Sequence, residues 1–162
     1  MECKNIIELE FKSYPSWKVP TIDVKSSIGK QIKHYRRLNY IKQTELSAKL
    51  NHERGALHHL ENKDMKLYNV DLIKDIIKEL DIQDKLNIND DYLEFLLNNP
   101  CKKIIDTRKE LNLTRQSFAE LLSVSTTSIR RWELGNNNIS RAKYEKLKIL
   151  IHKKNKINEN NH

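Results

Sequence analysis

Residues 125–135 read STTSIRRWELG, a stretch that combines hydroxyl side chains and two arginines with a tryptophan, a glutamate and a glycine. Hydroxyl and guanidinium groups donate hydrogen bonds to phosphates and to base edges, so these residue types suit the binding of nucleic acid. Successive helix positions differ by about 100°, which places Ile129 and Trp132 on one side and Arg131 on the other. The stretch therefore predicts a helix with a buried side and a side rich in hydrogen-bond donors.

Two short helices have to position this surface. Thr114 has the side chain of a helix N-cap, and Ser125 has the same role for the helix that carries the arginines. The first of the two helices has an apolar face made of Phe118, Leu121 and Leu122. Ala119 is small where the second helix crosses, and Gly135 is the residue type that ends a helix in a left-handed conformation. Two short helices joined by a tight turn form a helix-turn-helix.

The same pattern occurs 72 residues earlier in the chain. Residues 42–62 align without a gap with residues 114–134, and the apolar positions and one glutamate are shared. The matched pairs are Leu46 and Phe118, Ser47 and Ala119, Leu50 and Leu122, Leu57 and Ile129, Leu60 and Trp132, and Glu61 and Glu133. The same offset extends upstream of this segment, to the pairs Ile32 and Ile104, Arg36 and Arg108, and Ile41 and Leu113. A repeat of this kind predicts two copies of one helical unit.

The predicted fold class is all-α, because glycine and proline are scarce and apolar residues recur at helical spacing. Helices are expected near residues 28–39, 43–50, 53–62, 69–80, 90–98, 100–111, 115–122, 126–134 and 140–154. The expected organisation is an N-terminal arm (1–27), a first helix-turn-helix domain (28–82), an acidic connecting segment with a short helix (83–99), a second helix-turn-helix domain (100–155) and a disordered tail (156–162). The arm contains a strand-like alternation, IIELEFK, and is expected either to fold over the first domain or to contact another chain.

The charge is distributed unevenly between these parts. The chain has 30 Lys and Arg against 22 Asp and Glu, which gives a net charge of +8. Residues 100–162 hold fourteen basic and six acidic groups, whereas residues 83–99 hold one and four. Because phosphate neutralisation supplies the sequence-independent part of DNA affinity, the second domain is expected to contribute most of it.

Other function classes are disfavoured. No apolar run approaches the roughly 18 residues that span a bilayer, and the first residues do not form a secretory signal. Cys3 and Cys101 lie far apart, which favours a reducing, cytoplasmic location. Three scattered glycines exclude a phosphate-cradling loop, and no nucleophile–base pair or carboxylate cluster indicates an enzyme. Adjacent His58 and His59 diverge on a helix, so neither a metal site nor a cofactor is expected.

The sequence LTRQSFAELLSVSTTSIRRWELG resembles the Cro/C1-type (XRE) helix-turn-helix of phage repressors and bacterial regulators. It is closest to the subgroup with an RWE-x-G ending, which includes many antitoxin-type repressors. The first copy is similar but departs from the pattern, with Lys63 in place of glycine, Glu53 in place of a Ser or Thr cap, and Gly55 inside its recognition helix. The resemblance implies two tandem lambda-repressor-like bundles of four to five short helices each.

The resemblance also implies residue roles. The residue that opens the second helix usually holds a phosphate, and this is Gln43 in the first copy and Arg115 in the second. Positions that face the major groove in the family correspond to Arg54, Gly55, Ala56 and His59 in the first copy, and to Thr126, Thr127, Ser128 and Arg131 in the second. Arg130 and Asn136, with the rest of the loop at 136–138, are expected on phosphates. Arg36 with Glu61, and Arg108 with Glu133, match the family's structural ion pair.

We therefore expect a cytoplasmic, sequence-specific regulator of transcription that binds double-stranded DNA, acts as a repressor in a phage or mobile element, and reads a bipartite site with both domains. The alternative from another class is an antitoxin-like regulator in which only the second domain binds DNA. In that case the first domain, or the arm, forms a homodimer or binds a protein partner.

Overall fold

The computed structural model describes residue 23, residues 25–63 and residues 68–159, and within these ranges all regular structure is helical. The prediction of an all-α fold is therefore confirmed for the described part of the chain. The α-helices are α1 (Ile28–Leu38), α2 (Gln43–Lys49), α3 (Arg54–Asn62), α4 (Val70–Leu80), α5 (Asp91–Leu97), α6 (Pro100–Glu110), α7 (Arg115–Leu122), α8 (Thr126–Glu133) and α9 (Arg141–Glu159). They form two compact units, Met1–Asn87 and Ile88–His162. Apart from residues 23 and 25–27, the predicted arm lies outside the described residues.

In the first unit, α1 packs against α3 and α4, and α2 packs against α3. The core is apolar, with Ile32, Leu46, Leu57, Ile73 and Ile76 fully buried. Residues 83–87, which were predicted to belong to the connecting segment, are hydrogen-bonded to α1. The Gln31 side chain donates to the Asn87 carbonyl oxygen at 2.6 Å and accepts from the Asn87 amide at 2.8 Å. This segment is therefore part of the first unit.

Gly29 lies where α1 and α3 approach most closely. A Cβ atom at this position would lie 1.8 Å from the carbonyl oxygen of Leu60, and backbone cannot move aside as a flexible side chain can. We expect Gly29→Ala to lower the free energy of unfolding of the first unit by about 1–3 kcal/mol or more, as overpacking does. The measurement is denaturant unfolding. The control is Gly55→Ala, where the added Cβ would meet nothing within 4 Å. Equal effects of the two substitutions would contradict the prediction.

Ser47 is a buried polar side chain in this core, with 3% of its surface exposed. Its Oγ atom has no hydrogen-bond partner among the described residues. The matching position of the repeat is Ala119, which is also buried. Since an unsatisfied buried hydroxyl costs about 1–3 kcal/mol, we expect Ser47→Ala to raise the stability of the first unit. Chemical denaturation tests this, and a lower unfolding midpoint for the variant would show that the hydroxyl is bonded in solution.

In the second unit, the residues before α6 are integral to the fold. Asp90 caps α5 and also forms a bidentate ion pair with Arg141, with N–O distances of 3.0 and 2.6 Å. The Tyr92 hydroxyl donates to the Ile139 carbonyl oxygen at 2.7 Å, and the Arg141 guanidinium lies 4.6 Å from the Tyr92 ring centre. The short helix predicted within the connecting segment therefore packs in the second unit, and the units separate after Asn87.

The helix ends agree closely with the sequence analysis. The predicted caps are confirmed, because the side chains of Thr114 and Ser125 accept backbone amides of α7 and α8, and Asn99 caps α6 in the same way. Gly135 has a φ of 75°, as predicted for a helix-ending glycine. Leu121 differs from the prediction, since it is 51% exposed and the buried stripe of α7 is formed by Phe118, Ala119 and Leu122.

The last helix, α9, is longer than predicted: it continues to Glu159, whereas the predicted helix ended near residue 154. Residues 141–159 contain neither glycine nor proline, so nothing in the local sequence ends the helix at 154. The predicted disordered tail thus begins inside this helix. Its last residues, 160–162, lie outside the described residues.

The two units share a local pattern at a constant offset. Helices begin at residues 28, 43 and 54 in the first unit, and at residues 100, 115 and 126 in the second, so each pair is 72 positions apart. The left-handed residues Tyr40 and Asn51 of the first unit correspond at the same offset to Asn112 and Ser123 of the second. The repeat in sequence is therefore matched by a repeat in backbone conformation.

Candidate nucleic-acid interface

Helix α8 has one buried side and one exposed side. Ile129 is fully buried and Trp132 is 7% exposed, where α8 packs against α6 and α7. The exposed residues include four of those predicted to contact DNA, namely Thr126, Thr127, Arg130 and Arg131. Two hydroxyls and two guanidinium groups thus face away from the core on consecutive turns. Asn136 lies just beyond the helix on an exposed loop, and its amide donates to the Arg131 carbonyl oxygen at 2.9 Å.

Ser128 is placed differently from the other predicted contacts. Its side chain is half-buried, and its Oγ lies 2.9 Å from the Oγ of Ser125. The Ser128 amide also donates to Ser125 Oγ at 3.1 Å, so both groups of Ser128 belong to the N-cap of α8. Thr127 and Arg131, which are one turn apart, remain on the exposed side of the helix together with Thr126 and Arg130.

A buried carboxylate connects three helices of the second unit. The Glu133 side chain is 2% exposed, and its two oxygens each accept a 2.6 Å hydrogen bond, from Arg108 Nε and Arg115 Nε. Arg108 also donates to the Leu113 carbonyl oxygen at 3.1 Å, which ties the end of α6 to the turn before α7. Burial by itself raises the pKa of Glu133, but the hydrogen bonds and charges of the two arginines outweigh it and hold the pKa below its ordinary value.

This lowered pKa gives the second unit a dependence on pH. A folded-state pKa below the unfolded value contributes stability that is present above the unfolded pKa of about 4.3 and is lost as pH falls through the folded pKa. We expect the melting temperature of the second unit to fall as the pH drops below about 5, and Glu133→Gln to flatten that fall. NMR signals of second-unit amides followed during heating measure this. Glu120→Gln removes an exposed carboxylate of α7 and serves as the control. An unchanged slope in Glu133→Gln would refute the assignment.

The first unit has a corresponding network. Arg36 donates to both oxygens of Glu61, with distances of 2.6 and 2.7 Å, and also to the Ile41 carbonyl oxygen at 2.6 Å. Gln43 donates to Glu61 at 2.7 Å, in the place that Arg115 takes in the second unit. The pair is more deeply buried here, with 3% and 0% of the Arg36 and Glu61 side chains exposed.

The contacts of Gln43 and Arg115 with the buried glutamate of each unit were not predicted. The available signal was a constant spacing, because each of them precedes its glutamate by 18 residues. The structure therefore gives Arg115 two features at once: it is bonded to Glu133, and 52% of its side chain is exposed. A guanidinium held in this way retains further donors on its exposed side.

The corresponding helix of the first unit, α3, presents a different surface. Arg54, Gly55 and His59 are exposed and Ala56 is half-buried. Glu53 at the N-cap makes no side-chain cap bond, unlike Ser125 in the second unit. The exposed faces of α3 and α8 thus differ in the charge and size of their side chains. They also differ at the N-terminus, where only α8 has a side-chain cap bond.

Two lysines of α9 form hydrogen bonds to the C-terminal end of α7. Lys143 Nζ donates to the carbonyl oxygens of Leu122 and Ser123 at 3.1 and 2.8 Å, and Lys146 Nζ donates to Ser123 Oγ at 3.1 Å. The Lys143 ammonium group therefore satisfies carbonyls at the C-terminus of α7, where the helix dipole favours a cation, and Lys146 bonds the side chain of the helix-ending Ser123. No local pattern indicates this role, because the lysines lie 20 to 23 residues further along the chain than the groups they bond.

The fold and this surface define a small helical domain of the class that binds nucleic acid through a helix-turn-helix. Residues 104–149 match the model of the Helix-turn-helix family. The matched segment includes most of α6, all of α7 and α8, and about half of α9. The family is one of DNA-binding regulatory domains and not of enzymes. The resemblance to the Cro/C1 (XRE) type is therefore confirmed for this segment. Comparisons with curated proteins and with solved structures return no match.

Two further observations concern other classes of site. Within the described ranges, no group of three or more His, Cys, Asp or Glu side chains converges so as to hold a metal ion. Among the helices of the same ranges, none combines the length and the apolarity that crossing a bilayer requires.

Proposed function

We propose that the protein is a sequence-specific regulator of transcription that acts as a repressor and reads a bipartite site on double-stranded DNA. The observation that carries this proposal is the exposed donor face of α8, with Arg131 opposite the buried Ile129 and Trp132, in the segment that matches the helix-turn-helix family. A helix of this kind enters the major groove and contacts base edges.

The side chains of α8 divide into base contacts and phosphate contacts. Arg131 is suited to bidentate bonding with guanine O6 and N7, and Thr126 and Thr127 to contact with a thymine methyl group or one hydrogen bond. Arg130 and Asn136 flank this face and suit phosphates. Arg115 is the first residue of α7, and its Nε lies 2.6 Å from a Glu133 oxygen. This bond orients the guanidinium for contact with the phosphate backbone of DNA.

The first unit is proposed as a second reader of DNA on the same chain. Its helix starts, left-handed residues and buried Arg36–Glu61 pair recur 72 residues later, which supports a tandem repeat. A second reader tethered to the first binds at high effective concentration and so raises affinity without any new contact. Because α3 carries Arg54 and His59 where α8 carries Thr126 and Arg131, the two half-sites are expected to differ in sequence.

In vitro selection of bound DNA followed by footprinting tests the proposal. The expected result is an asymmetric bipartite site, with its two halves about one helical turn, or roughly 34 Å, apart on one face of the duplex. The variant Arg54→Ala with His59→Ala should shorten the protected region to one half, and Thr44→Ala, an exposed change on α2, should leave it intact. A single short half-site for the unmodified chain would refute bipartite reading.

A second candidate is an antitoxin-like regulator whose first unit binds a protein or dimerises, with only the second unit on DNA. The observations that favour it are the missing cap bond at Glu53 and the bare surface at Gly55. Residues 28–82 also have a smaller excess of positive charge, with eleven basic and eight acidic groups. The same footprint separates the two candidates, because this one protects a single half-site per chain.

A further inference from the structure

The second unit contains an open groove of about 460 Å³ between α5, α6 and α9. The rings of Phe95 and Tyr144 lie in its floor with their centres 4.8 Å apart. The described residues that line it all lie outside α7 and α8, so the groove is separate from the candidate nucleic-acid interface. Its volume is in the range of known binding sites, about 300–1,000 Å³.

The rim of this groove is acidic although the unit as a whole is basic. Residues 88–162 hold fourteen lysines and arginines against nine aspartates and glutamates. Among the described residues, the lining reverses that ratio, with four carboxylates and two lysines beside His152. The carboxylates are those of Asp91, Glu94, Asp106 and Glu110. Phosphate groups would be repelled here, and a cationic partner would be attracted.

The groove already contacts the cationic groups of its own chain. The Lys103 ammonium lies 5.8 Å from the centre of the Phe95 ring, within the range of a cation–π contact. Lys148, which also lines the groove, forms an ion pair with Asp91. Ammonium and guanidinium groups in this groove are therefore stabilised by two interactions, a cation–π contact with the aromatic rings and attraction to the carboxylates.

We propose that this groove docks a short segment of a partner protein that carries lysine or arginine next to an aromatic or aliphatic side chain. The apolar side chain packs on the half-buried Ile151 and on the small exposed parts of the Phe95 and Tyr144 rings. The cation displaces Lys103 or bonds to Glu94 and Asp106. Because the groove and α8 lie on different elements, such a partner binds without covering the face proposed to contact DNA.

A random 12-residue peptide library displayed on phage and selected on the full chain tests this surface. The expected result is enrichment of peptides that combine a basic residue with an aromatic or aliphatic one. A synthetic peptide of that sequence should shift the NMR signals of Phe95 and Tyr144 amides. Enrichment of acidic peptides, no enrichment, or shifts confined to α8 would overturn the proposal.

Variants of the rim give the matched controls. The double variant Glu94→Lys with Asp106→Lys should weaken binding of the synthetic peptide by at least about tenfold, which corresponds to roughly 1.4 kcal/mol. Glu94→Gln with Asp106→Asn keeps the shape and should weaken it less, with a smaller dependence on salt. Glu120→Lys makes a similar change outside the groove and should have no effect on peptide binding. Equal binding by all variants would overturn the proposal. Self-association abolished by the first variant, measured by sedimentation, would assign the groove to a second copy and also overturn it.

Discussion

Replacing Glu61 by alanine should lower the free energy of unfolding of the first unit by about 3–5 kcal/mol. The substitution leaves the Arg36 guanidinium, which is 3% exposed, without its carboxylate partner, and it also removes the acceptor of Gln43. A buried charge without a partner retains the full cost of its desolvation. A loss of this size is a large fraction of the total stability of a small domain.

Amide hydrogen exchange measures this effect unit by unit, because it reports local and global opening of each element. Amides of α1 to α4 should lose protection in Glu61→Ala, while those of α6 to α8 should keep it. The control is Glu79→Ala, which removes a partially exposed carboxylate of the same unit that pairs with Lys49 on the surface. Exposed ion pairs contribute little, so a loss in Glu61→Ala no greater than in this control would contradict the prediction.

Replacing Arg131 by alanine should weaken binding to the selected DNA site by roughly 5- to 150-fold, the equivalent of about 1–3 kcal/mol for one bidentate base contact. The specificity at one base position should relax, because the preference for guanine there depends on this guanidinium. Arg131 is exposed, so the fold should be unaffected and the change should appear in DNA binding alone.

The adjacent Arg130 provides a matched comparison, because it is also exposed on α8 but is proposed to contact phosphate. Arg130→Ala should weaken binding to all sequences alike and reduce the slope of log affinity against log salt by roughly 0.9. Selection experiments repeated with each variant distinguish the two roles. If Arg131→Ala keeps the full base preference of the unmodified chain, Arg131 is not the base contact.

Much of the local structure could be predicted from the sequence. The starts of α6, α7 and α8 follow from Asn99, Thr114 and Ser125, because capping depends only on a side chain and the amides two or three residues further along. The buried side of α8 follows from the spacing of Ile129 and Trp132. The constant offset of 72 residues then extended the predicted helix starts and buried sides to the first unit, although the N-cap residues of α1, α2 and α3 make no side-chain cap bond.

Other features depended on the packing of elements that are distant in the sequence. The place of α5 in the second unit rests on Tyr92 reaching Ile139, 47 residues away, and on Asp90 pairing with Arg141. No local pattern indicates such a contact, and the acidic composition of residues 83–99 favoured a connecting segment instead. The exposure of Leu121 likewise depends on the line along which α8 crosses α7, which residue spacing within one helix does not specify.

The sequence by itself determined which helices form and which of their sides are apolar, because hydrophobic periodicity and caps act over a few residues. It also indicated the donor-rich face of α8. Only the tertiary structure decided that Glu133 holds Arg115 as well as Arg108, that Ser128 turns to the cap, and that carboxylates line a groove on a basic unit. These arrangements depend on the distances between side chains from separate helices, and those distances are set by the packing of the whole unit.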